Sequence, residues 1–441
     1  MPFDAGSPAP ARDAEHEERT LRAARRALST IPFYAKQGLV DRLRTDAPLA
    51  EALRGLPLLT RDKVRPTLPK AWFPEGRDAK AELASGAVSI IEVGAADSRV
   101  RVLFSPRWWR EQEQRALRIH PRAASVFDGE VGPFREAVLW IPEKGTGSCG
   151  SGDPSYDERV EGVRLYLNSR QDPTFWTEPV MVRMLDELAL HDTSALLADP
   201  FYLDVLARHA AILNRRLDVR GFIATTRARA TRAHREMLAR VYSGAVIDVL
   251  GAREVGTLFV ETPGAGGAPR MEHAPLGTHV ELLRAKVPTP GAEDVALVVV
   301  TTLERDVQPL VRYVLGDLVQ IAAGEGRFTP VRPIRSVEGS IDDALVRPDG
   351  ALVTAGAIDR AIGVEARAYQ VVQSEPDSVE VEVVGGSTSQ IEECLAPLFA
   401  GMKVSARGAT AIGVEPNGKY RTTRRRVPLS LAATFDGCDG V

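Results

Sequence analysis

From about residue 85 to residue 335 the chain alternates short apolar runs with amphipathic stretches. AVSII, VRVLF, EAVLWIP, VRLYLNS, SALLADP, GFIATT, AVIDVLG, GTLFVE, HVELL and VALVVVTTL read as strands, rich in aliphatic and β-branched residues and bounded by turn residues. Among them TEPVMVRMLDELALH, DPFYLDVLARHAAILNRR and RATRAHREMLARVYS carry apolar residues at helical spacing. Alternation on this scale predicts an α/β architecture. After about residue 336 the texture changes. A turn-rich stretch, RSVEGSIDDALVRPDGALVTAGAIDRAIG, leads into YQVVQSE, SVEVEVVG, a helical QIEECLAPLFAG and KVSARGATAIGV. The expected organisation is a flexible arm over residues 1–14, a large α/β domain over 15–337 and a small, mobile α+β domain over 338–441. A helix is expected to begin near Asp13 and run through ERTLRAARRALS, and no internal repeat or heptad run is visible.

With 44% apolar and 26% charged residues, a chain of 441 residues has enough apolar material for more than one core. A net charge of −3 gives no polyanion footprint, which argues against nucleic acid as a partner. No run of 18 apolar residues suggests a membrane span, and the polar, acidic start carries no secretion signal. Cys149, Cys394 and Cys438 show neither metal-ligand nor redox spacing, as expected of a protein in a reducing cytoplasm. Only eight of the 56 basic residues are lysines, so each lysine merits individual attention.

Four stretches carry residues suited to chemistry. In VYSGAVIDVLGAREVG a strand ends in a Gly-bearing turn that presents Glu254, where an α/β enzyme places a metal or substrate ligand. In PLVRYVLGDLVQI, Gly316-Asp317 reads as a tight break between two apolar strands, and the Asp317 carboxylate suits sugar hydroxyls. VEGSIDDALVRPDG puts Asp342 and Asp343 at the change of texture. GVEPNGKYRTTRRRVP places Lys419 in a loop after Asn-Gly, where an ammonium on a flexible stem can reach a neighbouring domain's site. Taken one at a time, the ordinary readings are a solvated turn glutamate, a hairpin turn, a solvating linker and a basic tail.

The order of these pieces resembles the adenylate-forming superfamily, and more narrowly its phenylacetate–CoA ligase and CapK-like branch. The matching pieces are Ile31-Pro32-Phe33-Tyr34, LPLLTRDKVR, SPRWW, VVTTLERDVQPLVRYVLGDL and GKYR, spread over nearly the whole chain. The resemblance implies that a carboxylic acid, aryl or acyl, attacks the α-phosphate of ATP. A thiol such as coenzyme A, or an amine, then displaces AMP. It implies Glu254 as the acid that holds Mg²⁺, and Lys419 as the catalytic lysine bridging acyl and phosphate oxygens. Asp317, in the RYxxGD block with Arg312, and Gly251 and Gly94 would belong to the nucleotide site. Asp342 would be the hinge on which the small domain turns. Dimers are common among such relatives, so a homodimer is an expectation by analogy.

The sequence also departs from that pattern. Where the family's phosphate loop reads roughly Thr-Ser-Gly-Thr-Thr-Gly-x-Pro, this chain has Glu92-Val93-Gly94-Ala95-Ala96-Asp97-Ser98-Arg99. Only Gly94 is kept, and two carboxylates stand where a polyanion would lie. The usual Gly-Arg at the hinge is Gly339-Ser340, and the usual aromatic before Gly251 is Leu250. GTGSCGSGD, residues 145–153, is a flexible-loop sequence that also offers donors able to replace the missing ones. Three readings follow. The first is an adenylate-forming ligase. The second is a relative that keeps the fold and binds an acyl compound, AMP or a partner without turning over ATP. The third transfers an acyl group from a preformed adenylate or thioester.

Overall fold

The computed structural model describes residues 9–94, 100–140, 154–168, 172–264, 269–274, 277–321, 333–415 and 418–438. Residues 145–153, Cys149 and the stretch 95–99 therefore lie outside the described residues. A hairpin of β1 (Ser89–Val93) and β2 (Val100–Phe104) precedes the main sheet. That sheet is eight-stranded, in the order β10-β9-β8-β7-β6-β3-β5-β4. Its strands are β3 (Glu136–Leu139), β4 (Val160–Glu161), β5 (Arg164–Tyr166), β6 (Ala195–Ala198), β7 (Phe222–Thr225), β8 (Ala245–Ala252), β9 (Gly256–Pro263) and β10 (Pro269–His273).

The central strands β5, β3, β6, β7 and β8 run parallel. The helices Glu178–Leu190, Pro200–Ile212 and Arg232–Val241 connect them. β3, β6 and β7 are buried along their whole length, the continuous apolar run of a sheet covered on both faces. Their carboxyl ends open toward Trp140, Asp199 and Thr226, the edge where an α/β sheet holds ligands.

The alternation expected up to residue 335 stops earlier. β11 (Thr278–Arg284), β12 (Val295–Thr302), β13 (Tyr313–Gln320) and β14 (Ser336–Ser340) form an antiparallel sheet in sequence order. Gly316-Asp317 is therefore no break between strands, because β13 runs through both residues. The register on β12 slips between Leu297 and Val299, and Gly316 takes φ +96°. That bulge re-aims Asp317 without ending the strand, which is what a turn-like Gly-Asp inside an apolar run also encodes.

β14 carries the large domain's sheet to Ser340, slightly past the expected boundary at 337. Beyond it lie the short hairpin of β15 (Leu345–Val346) and β16 (Leu352–Val353), then a four-stranded sheet ordered β19-β18-β17-β20. Its strands are β17 (Ala368–Glu375), β18 (Ser378–Val384), β19 (Lys403–Gly408) and β20 (Thr423–Arg425). The helices Ala355–Ile362 and Thr388–Leu395 complete this α+β unit. The tail then leaves it. Phe435 bridges Ala285, the Lys286 amide donates to the Thr434 carbonyl at 2.8 Å, and Phe435 and Cys438 are buried with Leu283 and Leu297.

The first helix spans Ala9–Thr30 and so begins inside the stretch expected to be a flexible arm. Pro10 does not oppose this, since the first turn needs no donor from it. This helix delivers His16 against His273 of β10 and His279 of β11. His16 Nε2 is 3.3 Å from His279 Nδ1, and His273 Nε2 is 3.3 Å from the Thr278 hydroxyl. Burial, with the other histidines adding to it, holds His273 well below the usual imidazole range and His279 down at about 3. Both stay neutral in the fold, whereas the unfolded chain takes up their protons near pH 6.5. Stability is therefore full above that value and is lost as pH falls toward 3. Urea unfolding should show a loss on the order of 2 kcal/mol for each of the two histidines between pH 7 and pH 5. His279→Gln should flatten that slope.

Candidate active site

Both domains contribute to one cleft. It is a cavity of about 130 Å³ over the carboxyl ends of β6, β7 and β8. Thr225, Asp248, Leu250 and Gly251 line it from the main sheet, Asp317 and Ser340 from the antiparallel sheet, and Lys419 from the small domain. Three of the residues expected in a site from sequence, Lys419, Asp317 and Gly251, thus share one wall-to-wall space. Gly251 is glycine for packing reasons, because a Cβ there would sit 2.7 Å from the Gly256 carbonyl oxygen on the paired strand.

Asp317 is half-buried in the cleft, and burial pushes its carboxyl up to about 6. Arg61 and Lys419 oppose that rise, and Glu254 and Asp342 add to it. Asp248, at the end of the parallel sheet, accepts a hydrogen bond from Thr225 and pairs with Arg235 at 2.5 Å. Arg227 lies over the Trp140 ring at 4.0 Å with a left-handed φ of +73°. It holds a cation at the mouth of β7 and lines the cavity.

Glu254 and Asp342 meet through a residue that sequence reading missed. Arg61, from LPLLTRDKVR, donates to the Leu315 carbonyl at 2.9 Å and pairs with Asp342 at 3.4 Å. It also lies 3.9 Å from Glu254 Oε1, and the Tyr313 hydroxyl donates to the same oxygen at 3.4 Å. Burial pulls the guanidinium toward neutral, but Tyr313, Glu254 and Asp342 more than offset this and hold it charged. Its stretch carries part of the family likeness, yet no spacing rule ties residue 61 to residue 342; only the fold brings them together.

Two of the expected residues stand outside the cavity lining. Arg312 does not line the cavity. Its guanidinium grips Glu281 at 3.0–3.2 Å and the Leu56 carbonyl at 2.5 Å, inside the core, with φ +51°. An arginine beside RYxxGD reads as a ligand residue from sequence, but here it satisfies a buried carboxylate. Gly94 closes β1 with φ +99°, and none of Glu92, Val93 and Gly94 lines the cavity.

Glu254, expected as the acid that holds Mg²⁺, faces protein groups in this arrangement. It is 2% exposed, outside the cavity lining, and already faces Arg61 and Tyr313. Among the described residues no set of three His, Cys, Asp or Glu side chains converges for a metal ion. Among them, too, no helix is long and apolar enough to cross a membrane.

Removing one member of the Arg61–Glu254 pair leaves a buried charge without its counterpart. Arg61→Gln should lower stability by roughly 2–3 kcal/mol in denaturant titration. The double variant Arg61→Gln, Glu254→Gln should recover most of that loss, a coupling that independent surface effects would not give.

No protein-family model matches the sequence, and no curated protein resembles it in sequence. Its fold, in contrast, is similar to that of solved structures. A 2-hydroxyisobutyryl-CoA ligase in the postadenylation state superposes with a TM-score of 0.66 at 15% identity, over 96% of this chain and 93% of that one. An open form of that ligase, with 2-HIB-AMP and CoA, gives 0.54 at 15% identity over 97% and 96%. Its thioesterification state gives 0.52 at 15% identity over 97% and 94%. The chain thus has the adenylate-forming ligase fold, with a large N-terminal and a smaller C-terminal domain.

Proposed function

We propose that this chain activates a carboxylic acid with ATP as an acyl-adenylate and passes the acyl group to a thiol such as coenzyme A, or to an amine. The single observation that carries this reading is the convergence of Lys419, from the small domain, with Asp317, from the large one, on the cavity at the carboxyl edge of the parallel sheet. Similarity of fold to ligases solved with adenylates supports it. An aryl or acyl acid of the kind used by phenylacetate–CoA ligase relatives is the expected substrate class, and a cytoplasmic setting is the expected place of action.

In the first half-reaction an oxygen of the acid bonds to the α-phosphorus while the bond to pyrophosphate breaks. The Lys419 ammonium stabilises the charge shared between carboxylate and phosphate, in a closed site where such contacts are strong. Asp317, when ionised, accepts hydrogen bonds from the ribose hydroxyls. In the second half-reaction the acceptor's sulfur or nitrogen bonds to the acyl carbon, AMP leaves, and the acceptor's proton passes to solvent. Magnesium would come with the nucleotide's phosphates, and Glu254 is the carboxylate proposed to hold it, once freed from Arg61 and Tyr313.

A cavity of about 130 Å³ is smaller than the ~300–1,000 Å³ typical of ligand pockets. The small domain must therefore withdraw to admit substrate, with Asp342 proposed as the hinge. Transfer from a preformed adenylate is the second reading. It is favoured by the sequence at 92–99, where only Gly94 of the family's phosphate-loop pattern is kept.

ATP–pyrophosphate exchange across a panel of aryl and acyl acids tests the proposal. Exchange with at least one acid should fall by about 10²-fold or more in Lys419→Ala. Transfer from synthetic acyl-AMP without any exchange would favour the second reading, and neither activity from folded protein would leave a binding protein with this fold.

Because burial holds the Asp317 carboxyl at about 6, it is protonated below that pH and loses its acceptor capacity there. AMP affinity measured by calorimetry should weaken as pH falls through about 6, and Asp317→Asn should remove that dependence.

A further inference from the structure

We propose that the first turn of the helix Pro200–Ile212, with its cap, is the dock that positions Lys419 in the cleft: the four residues Asp199-Pro200-Phe201-Tyr202 bracket the lysine from one side. This rests on the reading of Lys419 as the residue that acts on the acid and phosphate oxygens.

Two contacts from adjacent residues flank Lys419. On one side, the Tyr202 hydroxyl donates to the Gly418 carbonyl at 3.0 Å, and Tyr202 is fully buried. On the other, the Tyr420 ring stacks on Phe201, with centroids 4.3 Å apart and planes 12° apart. The residues before and after Lys419 are thus each held by consecutive positions of a single helical turn. A third contact holds the aromatic itself, since the Tyr420 hydroxyl donates to the Tyr369 carbonyl at 2.6 Å within the small domain. Tyr420 therefore joins the two domains through its ring face and its hydroxyl separately.

Asp199 completes the dock. Its carboxylate caps the helix by accepting from the Phe201 amide at 2.9 Å, and the residue is 1% exposed. Burial pushes this carboxyl up to about 6, while Arg227 and Lys419 pull the other way. Lys419 thus interacts electrostatically with two carboxyl groups, Asp317 and Asp199. The lysine's backbone is fixed as well. The Glu415 amide donates to the Lys419 carbonyl at 2.9 Å, and the Gly418 amide donates to the Glu415 carbonyl at 2.7 Å. Gly418 takes φ +79°, a conformation that costs a glycine little. A short loop carried on a separate domain would otherwise leave a long flexible side chain free to sample the cleft, so two backbone-adjacent anchors are what convert it into a positioned group.

Hydrogen exchange of the 418–422 amides in the full chain, read beside amides of β12 as an internal reference for global folding, tests the dock independently of catalysis. Tyr202→Phe removes the hydrogen bond, and Phe201→Leu removes the stack while keeping an apolar side chain. Each should speed exchange at 418–422 by about five- to tenfold with β12 unchanged. Phe201→Tyr, which keeps the stack, should behave as the parent. In ATP–pyrophosphate exchange the same two variants should lower kcat with little change in the KM for ATP, and Phe201→Tyr should restore kcat. Unchanged exchange at 418–422 in both Tyr202→Phe and Phe201→Leu would overturn the dock. If amide exchange responds but the parent protein activates no acid, the dock stands and the proposed reaction is what fails.

Discussion

One guanidinium carries much of this site. Arg61 comes from a short segment before the first sheet, yet it reaches the Leu315 carbonyl, Asp342 at the start of the small domain and the buried Glu254. Glu254 and Asp342 both push the Asp317 carboxyl up, and Arg61 is the leading charge that opposes them. With Arg61 present, the β8 turn, the β13 bulge and the entry to the small domain are tied to one fixed charge. The position of Asp317 on the cavity wall depends on that bulge, and Arg61 packs directly under it: a Cβ on Gly316 would lie 3.9 Å from the Arg61 Nη2 atom.

The joint between the domains obeys the same logic on its other side. Arg229, on the loop after β7, pairs at 2.8 Å with Asp359 of the small domain, whose side chain is fully buried. The Arg232 amide adds a hydrogen bond to that carboxylate at 3.2 Å, and Arg229 also donates to the Val337 carbonyl at 3.0 Å. Val384, Ile412 and Tyr420 from the small domain join the large domain's apolar core around Phe201 and Tyr202. A buried ion pair is weak evidence of stability but strong evidence of geometry, because its directional bonds tolerate only one arrangement.

Local pattern made most of the fold legible. The apolar runs from AVSII to VALVVVTTL correspond to strands, and the three amphipathic stretches correspond to the helices beside the parallel sheet. What failed depended on partners distant in sequence. Gly316-Asp317 looks like a hairpin turn unless the pairing of β13 on both sides is known, and then it is a bulge within a strand. The pairing of Arg312 with Glu281 was equally hidden, since nothing in the spacing ties the two together. Lys419, Asp317 and Gly251 were legible as candidates because their motifs occur in a characteristic order. Arg61 and the dock at 199–202 were not, since an arginine in a turn and an Asp-Pro helix start are ordinary features until tertiary contacts give them partners.

The small domain is held at both of its ends as well as at the cleft. Its entry runs through Ser340–Asp342, fixed by Arg61, and its exit returns to the large domain, where Phe435 and Cys438 are buried beside Leu283 and Leu297. Arg425 strengthens the exit by donating to the Ala344 carbonyl at 2.7 Å and the Ile341 carbonyl at 3.1 Å, so entry and exit are stitched to each other. A motion that opens the cleft therefore meets unequal resistance at these places. Around Lys419 it must release one hydrogen bond and one ring stack, and behind them the Arg229–Asp359 pair. At the tail it would have to expose a whole phenylalanine, worth about 1.5–3 kcal/mol of burial before any hydrogen bond is counted. Opening that pivots about the joined entry and exit, and leaves the tail seated, is the less costly path. On that path the hydrogen bond and ring stack that set Lys419 in place would have to part. Access to the cleft and the placing of its lysine are therefore alternatives governed by the same few atoms.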